Sequence, residues 1–417
     1  MSDRDSDYWA LSGVQSAIAS LKFHSLSQVR LYVHAARSLS PQSVSSYLVH
    51  LLSYARYSLC TDPRDKVYGL LGIAEPDALS TITIDYSKSV QEVYTRAIMY
   101  LIMREGFQIL SLQGIWPLRE EWPSWVVNFQ KPSPQNYMPL IHARDAPGSK
   151  YCAMPYTGTE TLARFLPGGT FQVNGLLIDT VVDAVHTWKE GEWHGSLGQY
   201  ELRLSGDAFR MFLKAGAPCG ICTRMGERCS HLAYSPVQSS WRSSLADAVL
   251  RTLIGDYVDP TRRYVSRPPG LTSQIALRIL RHILKDITEE PSLSAILSIE
   301  HIDHEAGEDT FDSVESQVLL KVLLEKLFRG LEGKRAFRTK KGWIGIGPYE
   351  TRKGDCVVAV VGVDVPFVLR RLGVGSFTLV GECFVDGIIF GEILKDPMRR
   401  AGGDMRRAVE LDVFDIG

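Results

Sequence analysis

The chain has 417 residues, of which 46 are Lys or Arg and 47 are Asp or Glu, so its formal net charge is −1 at pH 7. This balance gives no general attraction for nucleic acid or an anionic membrane, and no apolar run reaches the roughly 18 residues that a spanning helix needs. The length predicts two or three domains. Seven cysteines at irregular spacing, without a signal peptide, indicate a reducing, cytoplasmic compartment.

Residues 1–115 have the pattern of a helical part. Within residues 8–57, Leu, Val and Tyr recur at three- and four-residue spacing, which is typical of amphipathic helices. A further helix is predicted in the stretch TDPRDKVYGLLG. There Asp62 is a suitable N-cap, Pro63 suits the first helical position, and Asp65 would favourably face the positive end of the helix dipole.

The next predicted helix has clear signals at both ends. Ser89 and Glu92 have the spacing of a capping box, in which each side chain satisfies a backbone N–H of the other residue. Apolar residues then recur on one face between residues 90 and 101. Gly106 is predicted to end the helix.

Residues 116–198 read as a Trp- and Pro-rich connection followed by a β-hairpin. Within 168–185 the pair Asn174-Gly175 is a strong signal for a tight turn between two strands. Residues 199–334 then carry four amphipathic helical patterns separated by polar linkers.

Residues 335–417 read as a C-terminal β module. Between residues 335 and 394 five short apolar runs, ending with IIFGEIL, alternate with Gly- and Pro-containing turns, which is typical of a meander or small barrel. The fold class is therefore predicted to be α+β: an N-terminal helical part, then a small β-sheet or barrel module split by a helical insertion.

Three separated blocks resemble the fungal heterokaryon incompatibility (HET) family, and they occur in the order found in that family. They are TDPRDKVYGLLGIA at 61–74 with IDYSKSVQEVY at 84–94, WPSW at 122–125, and the C-terminal stretch from GWIGIGP to FGEIL. The family's first block, with its Tyr-x-Ala-Leu-Ser-Tyr-x-Trp-Gly pattern, is reduced here to DYWALSGV, so the chain resembles a truncated form. In the last block Asp386 and Phe390 replace a His and an Asp of the family pattern. The resemblance implies a filamentous fungus as the source.

One cluster has residue types that could bind a metal. Cys219, Cys222, Cys229 and His231 could close a tetrahedral structural zinc site, and the alternative is a loop with reduced cysteines. No other cofactor is evident.

Several charged residues have a catalytic and a structural interpretation. Asp62, Arg64 and Asp65 could form an acid/base cluster or simply a helix start. The carboxylates of Glu382, Asp386 and Glu392 could do acid/base work or lie on a solvated strand face. One of Arg370 and Arg371 should point inward, with Glu382 as its candidate partner.

Aromatic residues crowd the connection between the helical and β parts. Trp122, Trp125 and Phe129 could line an apolar substrate pocket there, or they could seal the interface between the two parts. Tyr137, His142 and Arg370 are the candidate catalytic hydrogen-bond donors.

Two functions of different classes follow from the resemblance. Some short HET-like proteins resemble the norbornene-forming Diels–Alderase of sordarin-type diterpene pathways, which implies a cofactor-free [4+2] cyclase acting on a small apolar polyene. Such an enzyme needs an apolar pocket that holds the substrate folded and a donor for a carbonyl. The alternative is a non-enzymatic protein of fungal allorecognition with a protein partner. Neither hypothesis involves nucleic acid or membrane insertion.

Overall fold

The computed structural model describes two-fifths of the chain, including most of the predicted β module. The described residues are 48–49, 51–52, 59–74, 76–112, 121–130, 153–154, 163–186, 252, 331, 333–389, 391, 393–394 and 410–417. Within them three complete α-helices and nine strands are present. This confirms the predicted mixture of helices and β-sheet. The predicted domain boundaries and the helical character of residues 199–330 stay predictions, because those residues are almost wholly outside the described part.

The helices lie in the N-terminal third of the chain. They are α1 (Asp65–Leu71), α2 (Pro76–Thr81) and α3 (Val90–Glu105), followed by a 3₁₀ turn at Phe107–Leu112. The predicted capping box is confirmed, because the Ser89 side chain accepts the Glu92 N–H and the Glu92 carboxylate accepts the Ser89 N–H. Gly106 ends α3 with a positive φ of 79°, which a residue with a Cβ rarely adopts.

The start of α1 differs from the prediction. The regular helix begins at Asp65, with Arg64 rather than Asp62 at the cap position. The Asp62 carboxylate still accepts the backbone N–H of Arg64 at 2.9 Å, so it stabilises the turn that leads into the helix. The placement of the N-cap was therefore wrong, although Asp62 satisfies a backbone N–H at this helix entrance as an N-cap does.

The nine described strands belong to one sheet. They are β1 (Ala163–Phe165), β2 (Phe171–His186), β3 (Lys334–Thr339), β4 (Ile344–Pro348), β5 (Cys356–Val360), β6 (Phe367–Arg371), β7 (Ser376–Glu382), β8 (Phe384–Val385) and β9 (Asp412–Ile416). Along the sheet the order is β5-β6-β7-β9-β2-β3-β4-β8, and β5 also pairs with β2. Strands β5, β6, β7, β9 and β2 therefore form a closed ring, which leaves no open edge among them.

Strand β2 connects the two halves of the sheet. Its first part pairs with β9, its middle with β5, and its last part with β3. Strand β3 then pairs with β4, and β4 pairs with β8, the last strand at this end of the sheet. All pairings are antiparallel except β7 with β9. Two stretches that are far apart in sequence thus build one β module.

The predicted turn at Asn174-Gly175 was wrong, because these residues lie inside the 16-residue strand β2. Gly175 is opposite Val360 of β5 on one side and Asp412 of β9 on the other. A Cβ on Gly175 would lie 2.8 Å from the carbonyl oxygen of Ala359, which is too close. The glycine therefore allows a close approach of backbones rather than a chain reversal.

Two further strand predictions differ from the structure. The last apolar run, IIFGEIL, is not a strand where it is described, since Asp386–Ile389 form turns. Its buried Ile388 and Ile389 instead pack into the core. Strand β9 was not predicted at all, although it closes the ring between β7 and β2.

The buried apolar side chains form two clusters. The larger one combines residues of α1, α3 and the WPSW block with one set of strand residues, and the smaller one contains mainly strand residues together with Met154 and Trp343. The helices therefore pack on the β module and share a core with it. In the part of the chain that the structure describes, no helix combines the length and the apolar character needed to cross a membrane.

Candidate functional site

Only some of the sequence-predicted site residues lie in the described part of the chain. Trp122, Trp125, Phe129 and Arg370 are described. The catalytic candidates Tyr137 and His142, the zinc candidates Cys219, Cys222, Cys229 and His231, and Glu392 lie outside the described residues. Among the described residues, no group of three or more His, Cys, Asp or Glu side chains could hold a metal ion.

Trp125 is packed between the connection and the first two strands. Its side chain is 1% exposed, and its Nε1–H donates to the carbonyl oxygen of Gly169 at 2.8 Å. Its ring lies 5.5 Å from the rings of both Phe165 and Phe171. The indole therefore has both its apolar body and its polar N–H satisfied by protein.

Phe129 and Trp122 make similar contacts with helix α3. The Phe129 ring is fully buried and meets the Tyr94 ring edge to face at 5.3 Å, and Trp122 meets the same ring at 6.0 Å. The Tyr94 hydroxyl donates to the carbonyl oxygen of Pro63 at 2.7 Å, and burial raises the pKa of Tyr94. We call Tyr94, Trp122, Trp125, Phe129, Phe165 and Phe171 the aromatic seam. The seam joins the helical part to the β module.

Ser124, between the two tryptophans, links two strands through hydrogen bonds. Its backbone N–H and its hydroxyl both donate to the carbonyl oxygen of Gly417, at 2.9 and 2.6 Å. Its hydroxyl oxygen accepts the backbone N–H of Leu379 at 2.7 Å. The WPSW block thus fixes the end of β9 beside β7, in addition to its ring contacts.

Arg370 has a different partner from the one predicted. Its guanidinium forms a two-pronged ion pair with the Asp355 carboxylate, at 2.9 and 3.1 Å. The two side chains are 11% and 2% exposed. Glu382 lies opposite Phe367, at the other end of β6, so it is not placed to pair with Arg370. The prediction of an inward-pointing arginine is confirmed for Arg370, whereas Arg371 is exposed.

The side chains of Arg370 and Arg335 donate hydrogen bonds to backbone carbonyl oxygens of the loop between β4 and β5. Arg370 Nη2 donates to the carbonyl oxygen of Glu350 at 2.5 Å, and Arg335 Nη1 donates to that of Thr351 at 2.9 Å. The Asp355 carboxylate also accepts the Arg352 backbone N–H at 2.9 Å. We call residues 349–355 the clamped turn. Three charge-assisted contacts within seven residues make its backbone conformation unusually well determined.

His186 and Tyr349 extend this polar cluster. His186 Nε2 lies 2.7 Å from Arg335 Nη2, and because a guanidinium can only donate, Nε2 must be the acceptor in a neutral imidazole. The Tyr349 ring lies 4.9 Å from the His186 ring and 5.3 Å from the Arg335 guanidinium carbon. His186, the last residue of β2, therefore contacts both β3 and the clamped turn.

The hydrogen bonds in this cluster indicate positioning rather than proton transfer. Both Asp355 oxygens accept N–H groups, and the Arg370 guanidinium bonds a carboxylate and a carbonyl. Each oxygen of the Asp355 carboxylate therefore already has an N–H donor from the protein. A catalytic hydrogen bond from Arg370 to a substrate remains a prediction.

Two of the three C-terminal carboxylates considered for acid/base work are buried. Glu382 is 2% exposed and Asp386 is 6% exposed. Lys334 is also buried. Burial lowers the pKa of Lys334, and the Glu382 charge acts in the opposite direction. Burial likewise raises the pKa of the Cys383 thiol well above its usual value, which disfavours the reactive thiolate. The predicted solvated strand face is therefore wrong for Glu382 and Asp386.

Asp62, Arg64 and Asp65 serve as contacts between two loops. The Arg64 guanidinium bonds the Asp62 carboxylate and the carbonyl oxygens of Tyr86 and Lys88, the latter at 2.8 Å. The Tyr86 hydroxyl donates to Asp65 at 2.6 Å. The two parts of the first HET-like block, 61–74 and 84–94, therefore hold each other, which agrees with the structural interpretation.

Sequence reasoning missed most of the clamp. His186, Arg335 and Asp355 are separated by up to 169 positions in the numbering of the chain and follow no known motif spacing. The pairing of β2 with β3 and of β5 with β6 brings them together. The only local signal was Gly354-Asp355 immediately before an apolar strand, which is also common in ordinary turns.

Comparisons with known proteins agree with the HET resemblance. Residues 311–401 match the family model described as the Het-6 beta-barrel domain, a range that includes strands β3–β8. The chain is 24% identical to heterokaryon incompatibility protein 6, OR allele, of Neurospora crassa over 378 residues, which is 84% of this chain and 52% of that protein. The chain thus spans about half the length of this curated relative. No solved structure matches.

The two matches point to the same family but cover different parts of the chain. One matches the barrel strands, and the other extends over most of the chain. They give no support to the resemblance to a Diels–Alderase. The chain is therefore similar to a heterokaryon incompatibility protein over most of its length, and residues 311–401 resemble the Het-6 beta-barrel domain.

Proposed function

We propose that this protein acts in fungal heterokaryon incompatibility as a non-enzymatic module that recognises another protein. The observation that carries the proposal is the similarity of 84% of the chain to heterokaryon incompatibility protein 6, OR allele. The segment that matches the Het-6 barrel model contains the clamped turn. Hydrogen bonds from Arg335 and Arg370 hold the backbone of that turn in place.

The geometry of the described polar groups is consistent with a recognition role. Arg370 and Arg335 donate to backbone carbonyls of the clamped turn, and Ser124 fixes the end of β9. These groups hold a surface loop and a strand in place. A preorganised surface loses less conformational entropy when a partner binds, which favours recognition.

The cyclase hypothesis has no observation in its favour. Trp125 and Phe129, proposed as pocket walls, contact protein rings and are at most 1% exposed. Their packing agrees with the alternative interpretation, in which these residues seal the interface between the helical and β parts.

The test is a fusion assay in the fungus that carries the gene. A deletion strain, a complemented strain and the parent would be paired with tester strains of different incompatibility genotypes, and viable heterokaryons would be counted. We expect deletion to change compatibility with at least one tester and the intact gene to restore it. Mass spectrometry of extracts from the same strains tests the cyclase hypothesis, because loss of a cyclase should make its linear precursor accumulate.

Two variants make the assay specific. Trp125→Ala should behave as the deletion because it removes the centre of the aromatic seam, while Leu372→Ala, a change at a 64% exposed side chain, should behave as the wild type. Unchanged compatibility with every tester, combined with a linear precursor that accumulates in place of a cyclic isomer, would overturn the proposal in favour of the cyclase.

A further inference from the structure

Four exposed cationic side chains lie on two neighbouring turns of the barrel. Lys340 and Lys341 form the turn between β3 and β4, and Arg352 and Lys353 lie in the clamped turn between β4 and β5. We call these four residues the basic platform. Ten residues lie between the two pairs in sequence, but the sheet brings the pairs together.

Hydrogen bonds place the two turns on either side of the same point of β2. The Lys340 N–H donates to the carbonyl oxygen of Thr180 at 2.9 Å, and the Gly354 N–H donates to that of the next residue, Val181, also at 2.9 Å. Neighbouring strands in a sheet are about 4.8 Å apart, so the backbones of the two turns are about 10 Å apart across β2. That distance is about one Debye length at physiological salt, so their charges act together on a bound ligand.

Two nearby carboxylates bind backbone N–H groups or Arg370 rather than forming ion pairs with the four cations. Asp179, which is 7% exposed, accepts the backbone N–H of Lys341 at 2.6 Å, and Asp355 pairs with Arg370. The Lys341 ammonium donates to the carbonyl oxygen of Ile178 at 3.0 Å. In the ranges that the structure describes, none of the four cations of the platform forms an ion pair.

Some exposed cations elsewhere in the described residues are paired with carboxylates. Lys88 lies 3.4 Å from Glu92, and Arg104 pairs with Asp77. A surface that gathers four cations without carboxylate partners keeps an electrostatic attraction that pairing would cancel. The platform is therefore suited to an anionic ligand.

The turn that carries Arg352 and Lys353 is also held in one conformation. Arg335 and Arg370 bond its carbonyl oxygens, and the Asp355 carboxylate bonds its N–H group. Two exposed cations on a rigid loop lose less entropy on binding than the same pair on a flexible loop. Tyr349, 38% exposed, lies in the same turn and adds an aromatic surface beside the charges.

We propose that the basic platform binds an acidic segment of a partner protein. This inference rests on the proposed function, because it names the class of partner for that role. Tyr349 and Arg352 are of residue types that are enriched in protein interfaces. Nucleic acid binding is favoured by a domain that is basic as a whole, whereas this chain has a net charge of −1 and the platform is a local patch of four cations, which suits a short acidic segment better.

The first test measures binding to the full chain by fluorescence anisotropy. The probe is a labelled decaglutamate peptide, and single-stranded DNA of equal charge and phosphatidylserine vesicles are the comparison ligands. We expect the peptide to bind more tightly than either comparison ligand, and to bind more weakly as salt rises from about 50 to 300 mM.

Matched variants separate the platform from the rest of the surface. K340Q/K341Q and R352Q/K353Q should each weaken peptide binding by about tenfold. R96Q/R164Q removes the same number of exposed cations elsewhere and should leave binding unchanged. Circular dichroism and thermal melting of each variant verify that it is folded.

Four outcomes would overturn the inference: absence of peptide binding at low salt, tighter binding of DNA, tighter binding of vesicles, or an equal loss of affinity in R96Q/R164Q. The fusion assay distinguishes this failure from failure of the proposed function. If deletion alters compatibility but K340Q/K341Q does not, the proposed function stands and the platform is not its contact surface. If peptide binding is platform-specific but deletion leaves compatibility unchanged, the proposed function fails instead.

Discussion

The aromatic seam and the clamped turn both attach a loop to the same barrel, but the first uses ring packing and the second uses charge-assisted hydrogen bonds. Trp125 and Phe129 are nearly inaccessible, whereas the clamped turn exposes Arg352, Lys353 and Tyr349. Packed rings stabilise a junction without displaying chemistry. Partly buried arginines that donate to the loop's carbonyl oxygens fix the loop while its outer side chains stay in water. The difference suggests that the seam supports the fold and the clamped turn presents a surface.

The largest expected effect lies in the seam. Trp125→Ala removes a fully buried indole and leaves a cavity beside Phe165 and Phe171, so we expect a loss of about 3–5 kcal/mol in the free energy of unfolding. Urea denaturation followed by circular dichroism measures it. Trp122→Ala, at a partly buried ring, should cost less. If both changes lowered the free energy of unfolding equally, the difference in burial between the two rings would not determine their contribution to stability.

Arg370→Ala should break the clamp. It leaves the Asp355 carboxylate, 2% exposed, without its guanidinium, which should cost about 3 kcal/mol, the lower end for breaking a buried ion pair. Hydrogen exchange should also increase in residues 349–355 while the seam stays protected.

Arg370→Lys serves as the matched control for the clamp. It keeps the charge but loses the two-pronged geometry, so stability should fall less than in Arg370→Ala. If Arg370→Ala increased hydrogen exchange in the seam as much as in the clamped turn, the two regions would not be separate structural units.

A smaller effect is expected at the hydroxyl that joins the seam to the strands. Ser124→Ala leaves the buried N–H of Leu379 without its acceptor and removes a donor to Gly417, which should cost about 1–3 kcal/mol. Thermal melting measures the change, with Ser376→Ala, at a half-buried serine of β7, as the control. A cost no larger than the control's would show that the strands β7 and β9 do not depend on this residue.

The sequence was informative where the signal was local. The capping box at Ser89 and Glu92 and the stop at Gly106 depend on residues a few positions apart, and both were predicted. Four of the five apolar runs in the β module correspond to strands for the same reason. The capping signal depends on contacts within one helix, and the strand signal is a run of neighbouring apolar residues bounded by turns.

Predictions failed where long-range pairing decides the structure. Asn174-Gly175 has a strong turn signal, but β5 and β9 approach it from both sides and hold it in an extended strand. Strand β9 has two acidic residues among its five, and it forms because it pairs with both β7 and β2. The partner of Arg370 was misassigned because Asp355 and Glu382 are similarly close in sequence, and only the register of β5, β6 and β7 separates them.

The smallest expected effect is a loss of folding stability at low pH. It should arise from carboxylates of the helical part and not from the aromatic seam. Hydrogen bonds lower the pKa of Asp62, whose partner is Arg64, of Asp85, whose partner is Ser87, and of Glu92, whose partner is Ser89. Depressed carboxylate pKa values mean that the unfolded chain binds more protons than the folded one in this range. The stabilisation is therefore complete above the ordinary values of 3.8 and 4.5, and it is lost as pH falls through the lower folded values.

Urea midpoints measured from about pH 6 down to pH 3 should fall with acid, modestly because these groups are exposed and screened by solvent. Glu92→Gln should reduce the slope, since it removes one of the titrating carboxylates. Trp125→Ala should lower every midpoint while leaving the slope unchanged, because the seam has no group that titrates in this range. If Trp125→Ala flattened the acid dependence, the seam and the ionic contacts between 61–74 and 84–94 would be one cooperative unit, and the separation of packing from charge would not hold.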